Sequence, residues 1–188
     1  MKYKDVIAQM CEEYNTHPMA RFIGYNTALG SRMYGTLSKI PQCRCIETPV
    51  SENLMMGLAM GMSLEGYLPV VCFERHDFLL LGLDALVNHI DKLPSLGDVK
   101  FPIIIRAIVG AKRPLDAGPQ HTQDYTLELR GMLKNVRVHT PDSEEEFRAA
   151  WSAPKFGLPA VIVEYKDSYE FETLPYHDFG CAARGQEG

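Results

Sequence analysis

The sequence lacks the features that would place the protein in a membrane or on nucleic acid. Its 188 residues contain no uninterrupted apolar run long enough to cross a bilayer. The 19 lysine and arginine residues are scattered, and 24 aspartate and glutamate residues outnumber them, which argues against nucleic acid or an anionic membrane as the main partner. The first residues, Met1 to Glu13, are amphipathic and carry acids early, so they predict a folded helix rather than a cleaved signal. We therefore expect a cytoplasmic protein that binds neither nucleic acid nor membrane.

Cysteine is present without a disulfide framework. The 5 cysteines are an odd number, and some of them lie in segments with a buried pattern, so we expect reduced thiols. Cys43 and Cys45 form a Cys-x-Cys pair of a kind that can ligate a metal ion, but no second Cys or His pair stands at a matching spacing nearby. We expect no metal site in this chain.

The chain alternates between short apolar runs and segments with helical periodicity. An amphipathic helix comes first and stops before His17-Pro18. The predicted strands are residues 21–24, 70–73, 103–109, 136–139 and 160–165. The predicted helices between them are residues 51–65, 77–93, 122–133 and 143–153.

These strands are solidly apolar instead of alternating, which predicts an α/β fold: a mostly parallel sheet with helices on both faces. Ligands of such folds bind at the strand ends. No glycine-rich phosphate loop follows the early strands, which disfavours an unrelated nucleotide-binding open sheet. With 46% hydrophobic residues the chain is long enough for one domain, which we place at residues 1–175, followed by a tail at 176–188 that has little to bury.

The segment from Thr48 to Gly66 places the carboxylate of Glu52 at the first turn of an apolar, glycine-spaced helix. Burying an ionisable side chain without a partner costs free energy. Glu52 is therefore either an acid that faces water at a helix start, where the helix dipole favours it, or half of a functional contact. Gly57 and Gly61 leave no side chain that would obstruct a ring or a neighbouring helix.

This segment resembles the pyrimidine-binding domain of transketolase-like thiamine diphosphate enzymes, and is most similar to the beta subunit of the 2-oxo acid dehydrogenase decarboxylases. The similarity stays in register downstream and covers most of residues 40–165. The further matching segments are Tyr-Leu-Pro-Val-Val-Cys-Phe at 67–73, Asp77-Phe78, Leu-Val-Asn-His-Ile-Asp-Lys at 86–92, Pro-Ile-Ile-Ile-Arg-Ala at 102–107 and Gly-Pro-Gln-His-Thr-Gln at 118–123. The resemblance implies the pyrimidine-domain fold and a thiamine diphosphate cofactor.

The resemblance also implies roles for three residues. In relatives the glutamate that matches Glu52 hydrogen-bonds the aminopyrimidine ring and favours the imino form of the ring's amino group, which takes the proton from the reactive carbon. Phe78 falls where an aromatic ring stacks on the aminopyrimidine face, although a core position is the usual fate of phenylalanine. His121 matches a histidine that serves the acyl intermediate or acceptor, with a surface or structurally satisfied histidine as the alternative.

Two segments depart from the family pattern. Glu74-Arg75-His76 replaces apolar or hydroxyl residues just before the stacking aromatic, so Arg75 and His76, together with Gln120, are candidate substrate contacts in a polar or anion-accepting pocket. A salt-bridged surface turn is an equally good interpretation of this segment. Gly24-Tyr25-Asn26 replaces an acidic segment after the first strand, so the role of that segment in relatives is not carried over.

Relatives bind the cofactor's diphosphate and its magnesium ion with a Gly-Asp-Gly segment and a downstream asparagine. This chain has no such segment, because Gly97-Asp98-Val99 lacks the second glycine. We therefore expect a partner subunit with the diphosphate-binding domain to hold Mg2+, in a two-plus-two heterotetramer. The sequence ends soon after its last predicted strand, so we expect no counterpart of the carboxy-terminal domain of the dehydrogenase beta subunits, which weakens the dehydrogenase interpretation.

The resemblance thus implies the pyrimidine-binding subunit of a heteromeric thiamine diphosphate-dependent enzyme. Such an enzyme cleaves next to the carbonyl of a small-molecule substrate, a 2-oxo acid or a ketose, and transfers the acyl or two-carbon unit. The alternatives are a 2-oxo acid dehydrogenase or decarboxylase beta-type subunit, and a non-catalytic assembly partner with the same fold.

Overall fold

The structure, a computed structural model of the chain, describes residues 1–112 and 116–172. The predicted tail at 176–188, and residues 173–175 before it, lie outside the described residues. Within the described ranges the strands are β1 (Ala20–Gly24), β2 (Cys45–Glu47), β3 (Leu68–Phe73), β4 (Ile104–Val109), β5 (Arg137–His139) and β6 (Ala160–Tyr165). The α-helices are α1 (Tyr3–Asn15), α2 (Glu52–Leu64), α3 (Thr126–Met132) and α4 (Glu144–Ser152).

The strands form one sheet in the order β2-β1-β3-β4-β6-β5, and every pairing in it is parallel. One face packs against α2 and the segment after β3, with Met56, Phe73 and Leu86 in the shared core. The other face packs against α1 and α4, where Ile7 and Phe147 are fully buried. The expected α/β fold with helices on both faces is confirmed. No helix among the described residues combines the length and apolarity needed to span a bilayer.

The five predicted strands all form, because each is an apolar run that is covered on both faces. β6 is buried along its whole length, and β4 is buried except at its last residue. β2 was not predicted. It is a three-residue edge strand, half-buried and then exposed, so it is too short and too polar to produce a recognisable pattern.

The predicted helix at 77–93 is wrong in its regularity. The structure divides it into a 3₁₀ helix at His76–Gly82, a π-helix at Ala85–Ile90 and a 3₁₀ turn at Leu93–Ser95. Gly82 lies so close to α2 that a Cβ atom there would be 2.9 Å from Cγ of Met56, so the segment follows the surface of α2 closely instead of winding as one regular helix. The predicted helix at 122–133 begins only at Thr126, because the preceding residues form a loop held by side chains.

The chain reverses its direction of growth across the sheet at β1. β2 lies on one side of β1 and β3 on the other, so the segments that follow these three strands meet at the carboxyl edge of the sheet. Ligands of open parallel sheets bind at such a reversal point. Tyr25 follows β1, Glu52 follows β2 after a short turn, and Arg75 follows β3.

Candidate active site

Glu52 is the first residue of α2 and is buried, with 3% of its surface exposed. Its Oε1 atom is inaccessible to solvent and has no hydrogen-bond partner among the described residues. Oγ1 of Thr48, in the turn before the helix, is in the same condition. The interpretation of Glu52 as a helix-start acid that faces water is therefore wrong. A buried carboxyl oxygen without a partner is costly and indicates a site prepared for a ligand.

Tyr25 is a further member of this cluster that the sequence analysis did not identify as functional. It is 8% exposed, and its hydroxyl is buried without a partner within the part of the chain that the structure describes. Burial, and then the negative charges of Glu52 and Glu74, raise the pKa of the Tyr25 phenol well above its usual range. The phenol therefore stays protonated and can donate a hydrogen bond. The only signal in the sequence was the departure of Gly24-Tyr25-Asn26 from the family pattern.

Glu47 orders the loop that carries Tyr25. Its Oε1 accepts a hydrogen bond from the backbone N–H of Asn26 at 2.6 Å. Its Oε2 accepts from the N–H groups of Thr27, Ala28 and Leu29 at 3.0, 2.7 and 3.2 Å. Although burial alone would raise it, these donors lower the pKa of Glu47. One carboxylate at the end of β2 thus fixes the loop after β1.

Phe78 and His121 are brought together, although they are far apart in the sequence. Their ring centroids are 5.3 Å apart at an interplanar angle of 79°, an edge-to-face contact, and both residues are half-buried. Gly110 makes this approach possible, since a Cβ atom at that position would lie 2.0 Å from the carbonyl oxygen of His121. Gln120 is exposed in the same turn as His121.

Asp77 and His76 hold this loop from the other side. Oδ1 of Asp77 accepts a hydrogen bond from the backbone N–H of Gln123 at 3.4 Å, and Nδ1 of His76 accepts one from the N–H of Tyr125 at 3.4 Å. Nε2 of His76 is buried and has no partner among the described residues. The structure therefore gives His76 a supporting position beneath the loop, and its proposed contact with substrate stays a prediction.

Asp124 extends the same network across the loop. Its Oδ1 accepts from the backbone N–H and Oγ1 of Thr126 at 2.9 and 2.5 Å and lies 3.6 Å from Nδ1 of His76, while Oδ2 accepts from the Tyr165 hydroxyl at 2.9 Å. Burial opposes ionisation, but the hydrogen bonds from His76, Thr126 and Tyr165 lower the pKa of Asp124 far below its usual range. The loop that carries His121 is therefore anchored by a charged side chain.

Arg75 is half-buried beside this site and does not form the salt-bridged surface turn considered as an alternative. Its Nη1 donates to the carbonyl oxygen of Glu74 at 2.8 Å, and its Nε is buried without a partner in the described ranges. Glu74 accepts instead from Asn26 Nδ2 at 2.9 Å and from Ser31 Oγ at 2.7 Å. The guanidinium lies over the ring of Tyr34, with 5.4 Å between Cζ and the ring centroid.

Metal ligation has no visible support in residues 1–112 and 116–172, where no three His, Cys, Asp or Glu side chains are grouped to hold an ion. Cys43 is exposed, and Sγ of the half-buried Cys45 accepts a hydrogen bond from Nη2 of Arg32 at 3.8 Å. The Cys-x-Cys pair thus contributes to loop packing.

A parallel sheet with unpartnered, buried polar atoms at the carboxyl ends of its first strands defines a ligand-binding α/β domain. The chain matches the family model described as transketolase, pyrimidine binding domain, over residues 4–170. It belongs to this family.

The relatives agree with this assignment. The chain is 29% identical to the mitochondrial pyruvate dehydrogenase E1 component subunit beta of Saccharomyces cerevisiae, over 89% of this chain and 50% of the yeast protein. It is 31% identical to the corresponding subunit of Rickettsia conorii, over 82% of this chain and 49% of that protein. The chain thus spans about half the length of these curated relatives.

A solved structure titled split gene transketolase, inactive beta4 tetramer, aligns with a TM-score of 0.64 and 21% identity. The alignment covers 87% of this chain and 49% of that one. At this identity the likeness shows the fold.

Proposed function

We propose that the chain is the pyrimidine-binding subunit of a heteromeric thiamine diphosphate-dependent enzyme, which cleaves next to the carbonyl of a small-molecule substrate and transfers the acyl or two-carbon unit. One observation carries the proposal. Glu52 Oε1 is buried at the start of α2 and has no partner among the described residues. In a member of a pyrimidine-binding family, such an oxygen is a suitable partner for the edge of an aminopyrimidine ring.

The residues around Glu52 also suit this ligand. Tyr25 and Thr48 contribute two further buried hydroxyl groups without described partners. Phe78 is half-buried, so part of its ring surface is available for stacking on a flat heterocycle. When bound, thiamine diphosphate would supply a nucleophilic carbon that attacks the substrate carbonyl. Glu52 would hold the proton at the ring nitrogen, and His121 would donate or accept a proton at the substrate.

A partner subunit would hold the diphosphate and Mg2+, and α2 offers a surface for it. Leu54 and Leu64 are 50% and 61% exposed on this helix. Between them, a Cβ atom at Gly57 or Gly61 would meet nothing within 4 Å. We call these four residues the α2 outer face. Its apolar side chains and absent Cβ atoms suit the close approach of another helix. A solved structure of the same fold is titled an inactive beta4 tetramer of a split gene transketolase, and we expect this chain to be inactive without a partner as well.

Filling the α2 outer face should block this assembly. Gly57→Leu and Gly61→Leu add bulk where the isolated chain has open space, so the chain should fold normally. Each is expected to weaken association with the partner subunit by at least about tenfold, because a side chain would then separate the two helices. Light scattering of mixtures after size exclusion measures the assembly. Gly131→Leu in α3, also a glycine with open space around it, is the control. Unchanged assembly of all three variants would remove this surface from the interface.

Calorimetry tests the proposed function directly. Thiamine diphosphate and Mg2+ should bind to the reconstituted complex and not to this chain alone, because each subunit would hold one end of the cofactor. Absence of binding to the complex would favour the non-catalytic assembly partner. The names of the relatives favour a second candidate, a beta-type subunit of a 2-oxo acid dehydrogenase or decarboxylase. Transfer of the acyl group to a lipoyl domain would support it. A cytoplasmic location stays a prediction, since the relatives include mitochondrial and chloroplastic proteins.

A further inference from the structure

Tyr34 lies between two cations at the carboxyl edge of the sheet. Cζ of Arg75 is 5.4 Å from the centroid of its ring, and Nζ of Lys166 is 4.8 Å from the same centroid. Arg75 follows β3 and Lys166 directly follows β6, so strands that are not neighbours in the sheet deliver one cation each. We call Arg75, Tyr34 and Lys166 the cation pair site.

Neither cation is neutralised by the described part of the protein. The ion pairs within residues 1–112 and 116–172 include neither Arg75 nor Lys166. Nε of Arg75 is buried without a described partner. Burial lowers the pKa of both side chains, and the charges of Lys4 and Arg75 lower that of Lys166 further. Two half-buried like charges repel each other, and a bound anion would remove this cost.

The ring between the cations is held in place by a constrained backbone. Arg32, Met33 and Tyr34 all have positive φ angles, of 49°, 53° and 55°, which non-glycine residues adopt at a cost. Tyr34 also packs edge-to-face on Tyr169, with centroids 6.2 Å apart. The spacing of the two cations is therefore set before any ligand arrives.

The cation pair site borders the candidate active site. A Cβ atom at Gly110 would lie 3.3 Å from Cδ of Arg75 and 2.0 Å from the carbonyl oxygen of His121, so Arg75 and the His121 loop meet at Gly110. Arg75 also acts electrostatically on the Tyr25 phenol, which senses Glu52 as well. An anion bound by Arg75 would lie on the same side of the sheet as His121 and Glu52.

We propose that Arg75 and Lys166, held apart by the ring of Tyr34, bind a second anionic group of the substrate, a phosphate or a carboxylate remote from the reacting carbonyl. The proposal rests on the proposed function for the identity of the substrate, and it narrows the substrate class to carbonyl compounds with such a group. Arg75 contributes the directed donor Nε and Lys166 a compact charge, a combination that suits the tetrahedral or planar oxygens of these anions.

A second cation over an aromatic ring in this chain shows what a purely structural pair looks like. Arg21 lies over Tyr67, with 5.1 Å between Cζ and the ring centroid. Its Nη1 donates to the carbonyl oxygens of Pro18 and Ala20 at 2.9 and 2.7 Å. Its hydrogen-bonding capacity serves the backbone at the start of β1, away from the carboxyl edge. Arg21 is therefore a matched control for Arg75.

Titration of the full chain with inorganic phosphate, followed by NMR of the arginine Nε and backbone amide groups, tests the site. Wild type should show saturable shifts at Arg75 and Lys166. Arg75→Gln and Lys166→Gln should each weaken binding by about tenfold, since each removes a charge-assisted hydrogen bond. Lys166→Arg should retain binding, and Arg21→Gln should leave it unchanged. A parallel titration with acetate assigns the preferred group, phosphoryl or carboxylate.

Absence of saturable shifts, or equal phosphate binding by wild type, Arg75→Gln and Lys166→Gln, would overturn the proposal. These titrations contain no thiamine diphosphate and no partner subunit, so they are independent of the proposed function. If phosphate binds here but calorimetry of the complex detects no cofactor, the anion site stands and the enzymatic assignment fails. In an active complex, the same two variants should raise the KM of an anionic substrate more than they lower kcat.

Discussion

Replacing Glu52 with glutamine is expected to reduce turnover of the reconstituted complex by at least about 100-fold, because glutamine cannot hold the proton that the proposed ring contact requires. The shape of the side chain is preserved, so the effect would report on the acid itself. Calorimetry supplies a second measurement, since the affinity of the complex for thiamine diphosphate should fall together with turnover. Glu65→Gln, an exposed acid that follows the same helix, should change neither quantity.

The stability of the chain separates this effect from misfolding. Glu52 Oε1 has no described partner, so the folded chain gains no hydrogen bond at that atom that glutamine would remove. The free energy of unfolding of Glu52→Gln should therefore stay within about 1 kcal/mol of wild type, which is the size of a helix-dipole contribution. Normal turnover by this variant in the complex would remove Glu52 from the mechanism.

Replacing Arg106 with leucine should cause the largest loss of stability, about 3–5 kcal/mol, because it leaves a buried carboxylate without its cation. Nε and Nη2 of Arg106 donate to Oε1 and Oε2 of Glu164 at 2.6 and 2.9 Å, and both side chains are completely buried. Burial alone would lower the pKa of Arg106, but the adjacent Glu164 carboxylate raises it well above its usual range. Thr36 and Tyr169 complete the network, with hydrogen bonds of 3.0 and 2.7 Å to the two partners.

Denaturant unfolding at neutral pH measures this loss. The double variant Arg106→Leu with Glu164→Met should be more stable than Arg106→Leu alone, because an apolar pair leaves no charge buried. Lys39→Ala breaks an ion pair with Glu12 that lies on the surface, at 3.0 Å, and should have no measurable effect. If Arg106→Leu unfolds at the same denaturant concentration as wild type, the ion pair contributes nothing to the fold.

The sequence located the candidate site well where its residues belong to one local segment. Glu52 could be assigned to the start of a helix because Thr48 to Gly66 has both a turn signal and helical periodicity, and the structure places it there. Phe78 and His121 were predicted separately from the resemblance, and their edge-to-face contact became visible only in the fold. Their functional roles, like that of Glu52, stay predictions until the experiments above are done.

Several supporting residues could not be recognised from the sequence. Glu47 binds successive backbone N–H groups of the loop after β1, and Asp124 binds side chains from three separate segments. An isolated acid in a loop gives no signal of such contacts, because they depend on how distant strands are placed. The irregular helical segment after β3 was missed for a similar reason, since the close approach of Gly82 to α2 is not encoded in its own periodicity.

The amino-acid pattern by itself determined the class of fold and the order of most elements. Continuous apolar runs that alternate with helical patterns can be buried only as a parallel sheet between two layers of helices. The tertiary structure alone decided that Arg106 and Glu164, both inside apolar strands, neutralise each other on β4 and β6. It also decided that Tyr25, Arg75 and Lys166 come to one edge of the sheet. The reason is physical: periodicity reports which face of an element is buried, whereas charge pairing and ligand sites depend on which strands are neighbours.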